Sequence, residues 1–130
     1  MQKKAKAKKR KKIVRKVATG KVFVNATFNN TIVTVTDVDG KVLCWSAPGM
    51  VGFKGSRKST PFAASVAAKD AVKKARNHGI RELDIFLRGP GAGKESVVRS
   101  IRSEGVNVKS IMDITPTPHN GCRPKKRRRI

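Results

Sequence analysis

Residues 21–46 read KVFVNATFNNTIVTVTDVDGKVLCWS, and their alternating pattern decides the class of fold. Every second residue from Val22 to Phe28 is apolar, a period that predicts a strand with these side chains on its buried face. Asn29-Asn30 predicts a two-residue hairpin turn, because asparagine tolerates the left-handed backbone that such turns need. Asp39-Gly40 is a second turn signal, between the β-branched or apolar segments 31–37 and 42–46. The stretch therefore predicts an antiparallel meander of three strands.

A change of period follows the glycine-rich segment 48–60. Thr60-Pro61 predicts the start of a helix, since threonine caps free N–H groups and proline fits the first helical position. Apolar residues then recur at helical spacing as far as Asn77. Segments 82–87 and 106–114 predict two more strands, and 95–104 predicts a second, shorter helix. The order βββαβαβ predicts an α/β fold in which helices pack on a mixed five-stranded sheet.

Charge divides the chain into three parts. The formal net charge is +23, from 31 Lys and Arg against 8 Asp and Glu. Residues 1–16 contain ten bases and no acid, and residues 123–129 contain six bases, which leaves 15 bases and 8 acids in between. We therefore expect a basic N-terminal arm at 1–16, a globular domain at 17–114 and an extended basic tail at 115–130. Such dense like charge is expected to stay disordered until a polyanion neutralises it and its counterions are released.

Two glycine-rich loops, 48–60 and 88–94, each precede a predicted helix. The free N–H groups and the dipole of a helix N-terminus favour an anion, and glycine permits close approach. The first loop carries Lys54, Arg57 and Lys58, and the second carries Arg88 and Lys94. We expect both loops to contact phosphate. Phe53 is a candidate for stacking on a base or, equally, for packing on its own core.

The spacing of the glycines in these loops does not match the nucleotide-binding motifs of known enzymes. A Walker A loop needs Gly-x4-Gly-Lys-[Ser/Thr], but around Gly93-Lys94 the first position is Arg88 and the last is Glu95. A dinucleotide fingerprint from Gly89 would need glycine at position 94. The eight acids are scattered, whereas a nuclease needs a cluster of them to hold divalent metal. We expect no catalytic residue, no cofactor and no small-molecule substrate.

Metal, membrane and export signals are equally weak. His119-x-x-Cys122 supplies only two ligands, so no metal site is expected. No apolar run approaches the roughly 18 residues that span a bilayer, and the basic tails lack interleaved aromatic anchors, so no membrane partner is expected. Without a secretion signal, Cys44 and Cys122 are expected to be reduced thiols of a cytosolic protein.

Several segments resemble the S-eleven family of small-ribosomal-subunit proteins. They are FNNTIVTVTD at 28–37, GFKGSRKSTPFAA at 52–64, RGPG at 88–91 with Glu95-Ser96, and DITPTPHNGCRP at 113–124. The resemblance covers roughly residues 17–130, and the tail segment PHNGCRP at 118–124 resembles the bacterial and organellar branch of the family. The arm at 1–16 is the part of the chain that matches the family least.

The resemblance implies a structural ribosomal protein with a ribonuclease H-like topology that lacks the catalytic acids. The implied partners are the small-subunit rRNA of the platform and neighbouring platform proteins, with the C-terminal tail near the exit side of the messenger RNA path, where Shine–Dalgarno pairing occurs. The implied location is the cytoplasmic ribosome, with an organellar ribosome left open.

The residues expected to contact rRNA are Lys54, Arg57, Lys58, Ser59, Arg88, Lys94, Arg99, Arg102, His119, Asn120, Arg123, Lys125, Lys126, Arg127, Arg128 and Arg129. An architectural DNA-binding protein is the alternative of another class, because it would also be small, basic and armed. Helix-turn-helix and minor-groove wedge signals are absent from the sequence.

Overall fold

A computed structural model describes residues 17–130, so the predicted basic arm at 1–16 lies outside the described residues. Its strands are β1 (Thr19–Ala26), β2 (Thr31–Thr36), β3 (Val42–Ser46), β4 (Glu82–Arg88) and β5 (Asn107–Asp113). Its α-helices are α1 (Pro61–Asn77) and α2 (Gly93–Ser103). The predicted α/β class, with a mixed five-stranded sheet and two helices, is confirmed.

The sheet has the strand order β3-β2-β1-β4-β5. Strand β2 is antiparallel to both of its neighbours, whereas β4 is parallel to β1 and to β5. The strands other than β2 therefore end at one edge of the layer, and each helix begins at that edge and runs back. This arrangement follows from the chain order, since parallel strands need a crossover that returns the chain to the starting edge.

The core lies between one face of the sheet and the two helices. Strand alternation puts Val22, Val24, Val33, Val35, Leu83 and Ile85 on this face, all almost fully buried. Helix α1 covers them with a stripe of alanines, and α2 contributes Val97 and Ile101. Alanine is small enough to bring the helix axis close to the sheet, so the stripe sets how tightly the two layers pack.

The first hairpin differs from its prediction. Ala26 pairs with Thr31, so four residues form the connection rather than two. The Thr27 N–H donates to the Asn30 carbonyl at 2.8 Å, and the Asn30 N–H donates to Thr27 Oγ1 at 3.0 Å. Neither asparagine has a positive φ, because the threonine hydroxyl closes the turn instead. Phe28, predicted to face inward, leaves the strand and is 76% exposed.

The segment between β3 and α1 is more regular than the sequence indicated. It holds two short 3-10 helices, Pro48–Val51 and Gly55–Ser59. Thr60 caps α1 as predicted, with Oγ1 accepting from the Ala63 N–H at 3.2 Å. At the other terminus, residues 115–130 form no helix or strand and are exposed throughout. The predicted disorder of the basic tails stays a prediction.

Candidate nucleic-acid interface

One edge of the molecule brings together the first hairpin and most of the two glycine-rich loops that the sequence identified. We call it the strand-end surface: the hairpin 27–30, the segment 48–60 and the loop 89–93, at the carboxyl ends of β1, β3 and β4. Both α-helices start there, so their positive dipole ends point to the same side of the sheet. Open α/β sheets bind ligands at this edge because the connecting loops converge on it.

The first glycine-rich loop presents uncompensated positive charge. Lys54, Arg57 and Lys58 lie on or beside the second 3-10 helix, and none forms an ion pair with another residue in the described part of the chain. Gly52 and Gly55 have positive φ values of 98° and 58°, with open space where a side chain would be. These glycines serve the backbone turn and leave the surface accessible, which suits a phosphate ligand.

Ser59 belongs to the same loop but is used locally. Its hydroxyl donates to the Ser56 carbonyl at 2.7 Å and closes the 3-10 helix. The structure therefore gives Ser59 a place in shaping the loop.

The second loop has a different use for its glycines. Any side chain at Gly89 or Gly91 would collide with the backbone of Ala26 or Thr27. A Cβ at Gly93 would lie 2.5 Å from Thr31 Oγ1 and 2.8 Å from the Ala64 Cβ. The loop is therefore glycine-rich because it packs under the first hairpin.

Two of the amides in this loop already have partners inside the protein. The Gly89 N–H donates to Thr115 Oγ1 at 3.1 Å, and the Gly91 N–H donates to the Ala26 carbonyl at 3.0 Å. These two amides are therefore not available to a phosphate, and in the first loop the Gly52 N–H also donates within the protein, to the Pro48 carbonyl.

The basic side chains of the second loop diverge. Lys94 Nζ lies 3.1 Å from Asp113 Oδ2, so this lysine ties the start of α2 to the end of β5. Arg88 has no ion pair among the described residues and points to the face of the sheet that carries no helix, where it lines a small groove. The two bases therefore do not form one phosphate cradle.

Asp113 also anchors the start of the basic tail. Its carboxylate accepts hydrogen bonds from the Thr115 hydroxyl and from the Thr115 N–H, the latter at 3.0 Å. These bonds, together with Lys94, lower the pKa of Asp113 from 3.8 to about 2. The tail thus leaves the domain from a fixed point at the strand-end surface.

The residues predicted to bind RNA in the tail are all exposed: His119, Asn120, Arg123, Lys125, Lys126, Arg127, Arg128 and Arg129. Asn120 has a positive φ of 58° next to Gly121, which turns the chain ahead of the basic run. The tail therefore presents its cations without support from the core.

The two predicted arginines of α2 are separated from this group. Arg99 is exposed and lies 3.8 Å from Glu95, one turn earlier. Arg102 is exposed in the last turn of the helix, so it lies toward the opposite edge of the sheet. The sequence identified both as outward-facing but not that the helix carries Arg102 away from the loops.

Two phenylalanines that the sequence reading did not select stand exposed at the strand-end surface. Phe62, in the first turn of α1, is 70% exposed and makes an edge-on contact with Phe53, with ring centroids 6.0 Å apart. Phe28 projects from the hairpin. Aromatic rings among unpaired cations are typical of surfaces that stack unpaired bases. The signal was available: Phe62 directly follows the Thr60-Pro61 cap, outside the alanine stripe.

The described residues contain neither a candidate metal site nor a candidate membrane span. Within 17–130, no three or more His, Cys, Asp or Glu side chains are grouped so that they could hold a metal ion. Neither of the described α-helices has the length and apolarity that crossing a membrane requires.

Comparison with models of known protein families identifies the family to which this chain belongs. The model of the family described as ribosomal protein S11 matches residues 20–129, which includes all of the described strands and helices except the first residue of β1, and nearly all of the tail. The match implies a small-subunit ribosomal protein that binds rRNA and associates with the ribosome. The chain belongs to the ribosomal protein S11 family.

Proposed function

We propose that this chain is a structural constituent of the small ribosomal subunit that binds rRNA of the platform and supports its assembly. The observation that carries the proposal is the strand-end surface, where Lys54, Arg57 and Lys58 form no ion pair among the described residues. They lie beside the start of α1, at the same edge of the sheet as the start of α2 and of the cationic tail. No part of this mechanism needs a reaction, so we propose no enzymatic role.

The recognition we propose rests on RNA shape and backbone. Lys54, Arg57 and Lys58 contact phosphates, and the exposed Phe28 and Phe62 are placed to stack on unpaired bases. Arginine suits the tail because its planar guanidinium pairs with two phosphate oxygens and also stacks on bases. The tail at 119–129 passes between RNA segments, which supply the counter-charge it lacks alone.

The finer placement within the ribosome extends the family assignment. We propose that the tail lines the exit side of the messenger RNA path near the Shine–Dalgarno pairing, and that other platform proteins contact the domain. We also propose the division into an arm at 1–16, a domain at 17–114 and a tail at 115–130. The last β-strand ends at Asp113 and the tail leaves from its hydrogen-bonded junction, which supports the second boundary.

The family assignment also leads us to propose a topology and a location for the chain. The strand order β3-β2-β1-β4-β5, with β2 as the antiparallel strand, supports a ribonuclease H-like topology. We propose the cytoplasmic ribosome as the location; a plastid or mitochondrial ribosome is the alternative.

A pair of matched double variants tests the proposed site. Arg57→Gln/Lys58→Gln removes two cations from the strand-end surface, and Arg81→Gln/Lys41→Gln removes the same two residue types from exposed positions at the other edge. We expect the first variant to reduce the salt slope of binding to protein-free small-subunit rRNA by about 2, since each lost phosphate contact removes about 1. The control should retain most of the slope.

The same titration separates the candidate ligands. Competition with a DNA duplex of equal length should displace little of the bound rRNA, because the domain is proposed to read folded RNA. Equal losses in both double variants would show that the cations act only through net charge and would contradict the proposed site.

A further inference from the structure

The face of the sheet opposite the helices is uncovered by any described helix and carries large apolar side chains. Phe23, Asn25, Ile32, Phe86, Arg88 and Ile114 line a groove of about 150 Å³ on it. Trp45 and Met112 lie on the same face, on strands β3 and β5, and are 49% and 54% exposed. We call this the open face. Contiguous apolar surface of this kind marks an interaction site in soluble proteins.

Charge on the open face differs from that of the rest of the molecule. Strand alternation brings Glu82 and Asp84 to it, two of only eight acids in a chain of net charge +23. Lys109 neutralises Glu82 at 2.9 Å, and the Ser110 hydroxyl donates to Asp84 at 2.9 Å. Lys21, Arg88 and Lys109 nearly balance the two acids, so this face attracts RNA phosphates much less than the cationic tail does.

The aromatic rings on this face are also poorly placed for base stacking. Phe23 and Phe86 stack on each other with centroids 5.1 Å apart and an interplanar angle of 14°. Lys21 Nζ lies over the Phe86 ring at 5.8 Å. Because each ring already uses one face on the other and Phe86 also carries a cation, the pair presents little free π surface to a nucleobase.

We propose that the open face is the docking surface for a neighbouring protein of the small subunit, which inserts an apolar side chain into the groove and places a carboxylate against Arg88. The groove volume suits one leucine- or phenylalanine-sized anchor, as in the buried centre of many interfaces. Arg88 forms no ion pair among the described residues and sits at the groove, so it supplies the charge complement. This proposal rests on the proposed function: rRNA binds at the strand-end surface, and a neighbouring ribosomal protein binds at the open face.

The chain contains a matched pair of reporters for this division. Met50 belongs to the segment 48–60 of the strand-end surface, and Met112 lies on the open face; they are 50% and 54% exposed. Hydroxyl-radical oxidation read by mass spectrometry measures both in one sample. Three states are compared: the free chain, the chain on protein-free small-subunit rRNA, and the chain in subunits reconstituted with the remaining small-subunit proteins.

We expect rRNA alone to protect Met50 and leave Met112 reactive, and the added proteins to protect Met112 and Trp45 several-fold. Protection of Met112 by rRNA alone would make RNA the occupant and overturn the proposal. Full reactivity of Met112 in the assembled subunit would overturn it as well. Failure of the proposed function looks different, since neither methionine would then respond to rRNA.

A substitution separates the occupants independently. Ile114→Lys adds a cation beside the groove, and Val38→Lys adds the same charge in the turn between β2 and β3, at a similarly exposed site. We expect Ile114→Lys to weaken incorporation into particles that contain the other proteins by about tenfold or more, because a charged side chain in the wall of the groove opposes entry of the apolar anchor that carries much of the binding energy. Binding to protein-free rRNA should match that of Val38→Lys. Tighter binding of Ile114→Lys than of Val38→Lys to protein-free rRNA, or unchanged incorporation, would refute a protein occupant.

Discussion

The two cysteine thiols have very different surroundings. Cys44 is half-buried between β3 and α1, where its Sγ donates to the Ala71 carbonyl at 3.5 Å, and burial raises its pKa from 9.0 to about 11. Cys122 is exposed in the tail. At pH 8 the thiolate of Cys44 is populated at about one part in a thousand, so it should react slowly with iodoacetamide.

Alkylation of the native protein at pH 8 should therefore show one fast thiol, and Cys122→Ser should remove that fast phase. A fast phase that survives in Cys122→Ser would contradict the burial of Cys44.

The raised pKa of Cys44 also makes the stability of the fold depend on pH. Since the folded chain keeps the Cys44 proton to higher pH than the unfolded chain, the free energy of unfolding should fall from about pH 9 to about pH 11.

Gly93 shows how tightly the second loop packs. An added methyl group would press on Thr31 and Ala64, both of which belong to the packed core. We expect Gly93→Ala to lower the free energy of unfolding by about 1–3 kcal/mol, the usual cost of overpacking. Gly49→Ala is the control, because its Cβ would meet only the Lys58 side chain at 3.9 Å. Urea unfolding that shows equal stability for both variants would contradict a packing role for this glycine.

Among the elements, the end of β5 controls where the tail begins. Asp113 joins Lys94 of α2 to Thr115 of the tail, and the hydrogen bonds from Thr115 lower the pKa of Asp113 to about 2. A lowered carboxyl pKa means that these bonds persist as pH falls and are lost only near pH 2. The Thr115 amide resonance should stay constant from pH 7 to about pH 3.

Lys94→Gln should raise the pKa of Asp113, because it removes a cation that favours the carboxylate. An amide shift of Thr115 with a midpoint near 3.8 in the unsubstituted protein would show that the junction does not form. The tail would then leave the domain without a fixed direction.

Local pattern predicted the elements well where one residue's neighbours decide its structure. The bounds of β3 and α1 agree with the sequence reading because the Asp39-Gly40 turn and the Thr60-Pro61 cap are local signals. Phe28 was misplaced because extending a two-residue period past Ala26 ignores the Thr27–Asn30 turn. The two 3-10 helices in 48–60 were missed because glycine and serine favour no single structure.

At the scale of the whole molecule, the sequence identified the cations but not which of them share a surface. Strand direction and helix length separate Arg102 from Lys54, and alternation along β4 puts Arg88 on the open face. This arrangement of the cations also depends on a strand order that is not local in sequence. Strand β1 pairs with β4, although β2, β3 and α1 separate the two strands along the chain. A one-dimensional pattern of apolar residues carries little information about such pairing.

The two ends of the domain are also used differently. The basic tail starts at the strand-end surface, whereas Val17, which follows the arm, bonds to the His78 carbonyl at the opposite edge, where α1 ends. Val17 and the start of the tail therefore lie at opposite edges of the sheet.

We propose that the excess of positive charge serves to neutralise the phosphates of folded rRNA. The most direct test is the dissociation constant of the full chain for protein-free small-subunit rRNA, measured across potassium chloride concentrations. Between about 50 and 200 mM salt the affinity should fall by about 10³–10⁵, the loss that accompanies about 6–10 phosphate contacts. An affinity that stays constant over this range would contradict the electrostatic basis of the interface.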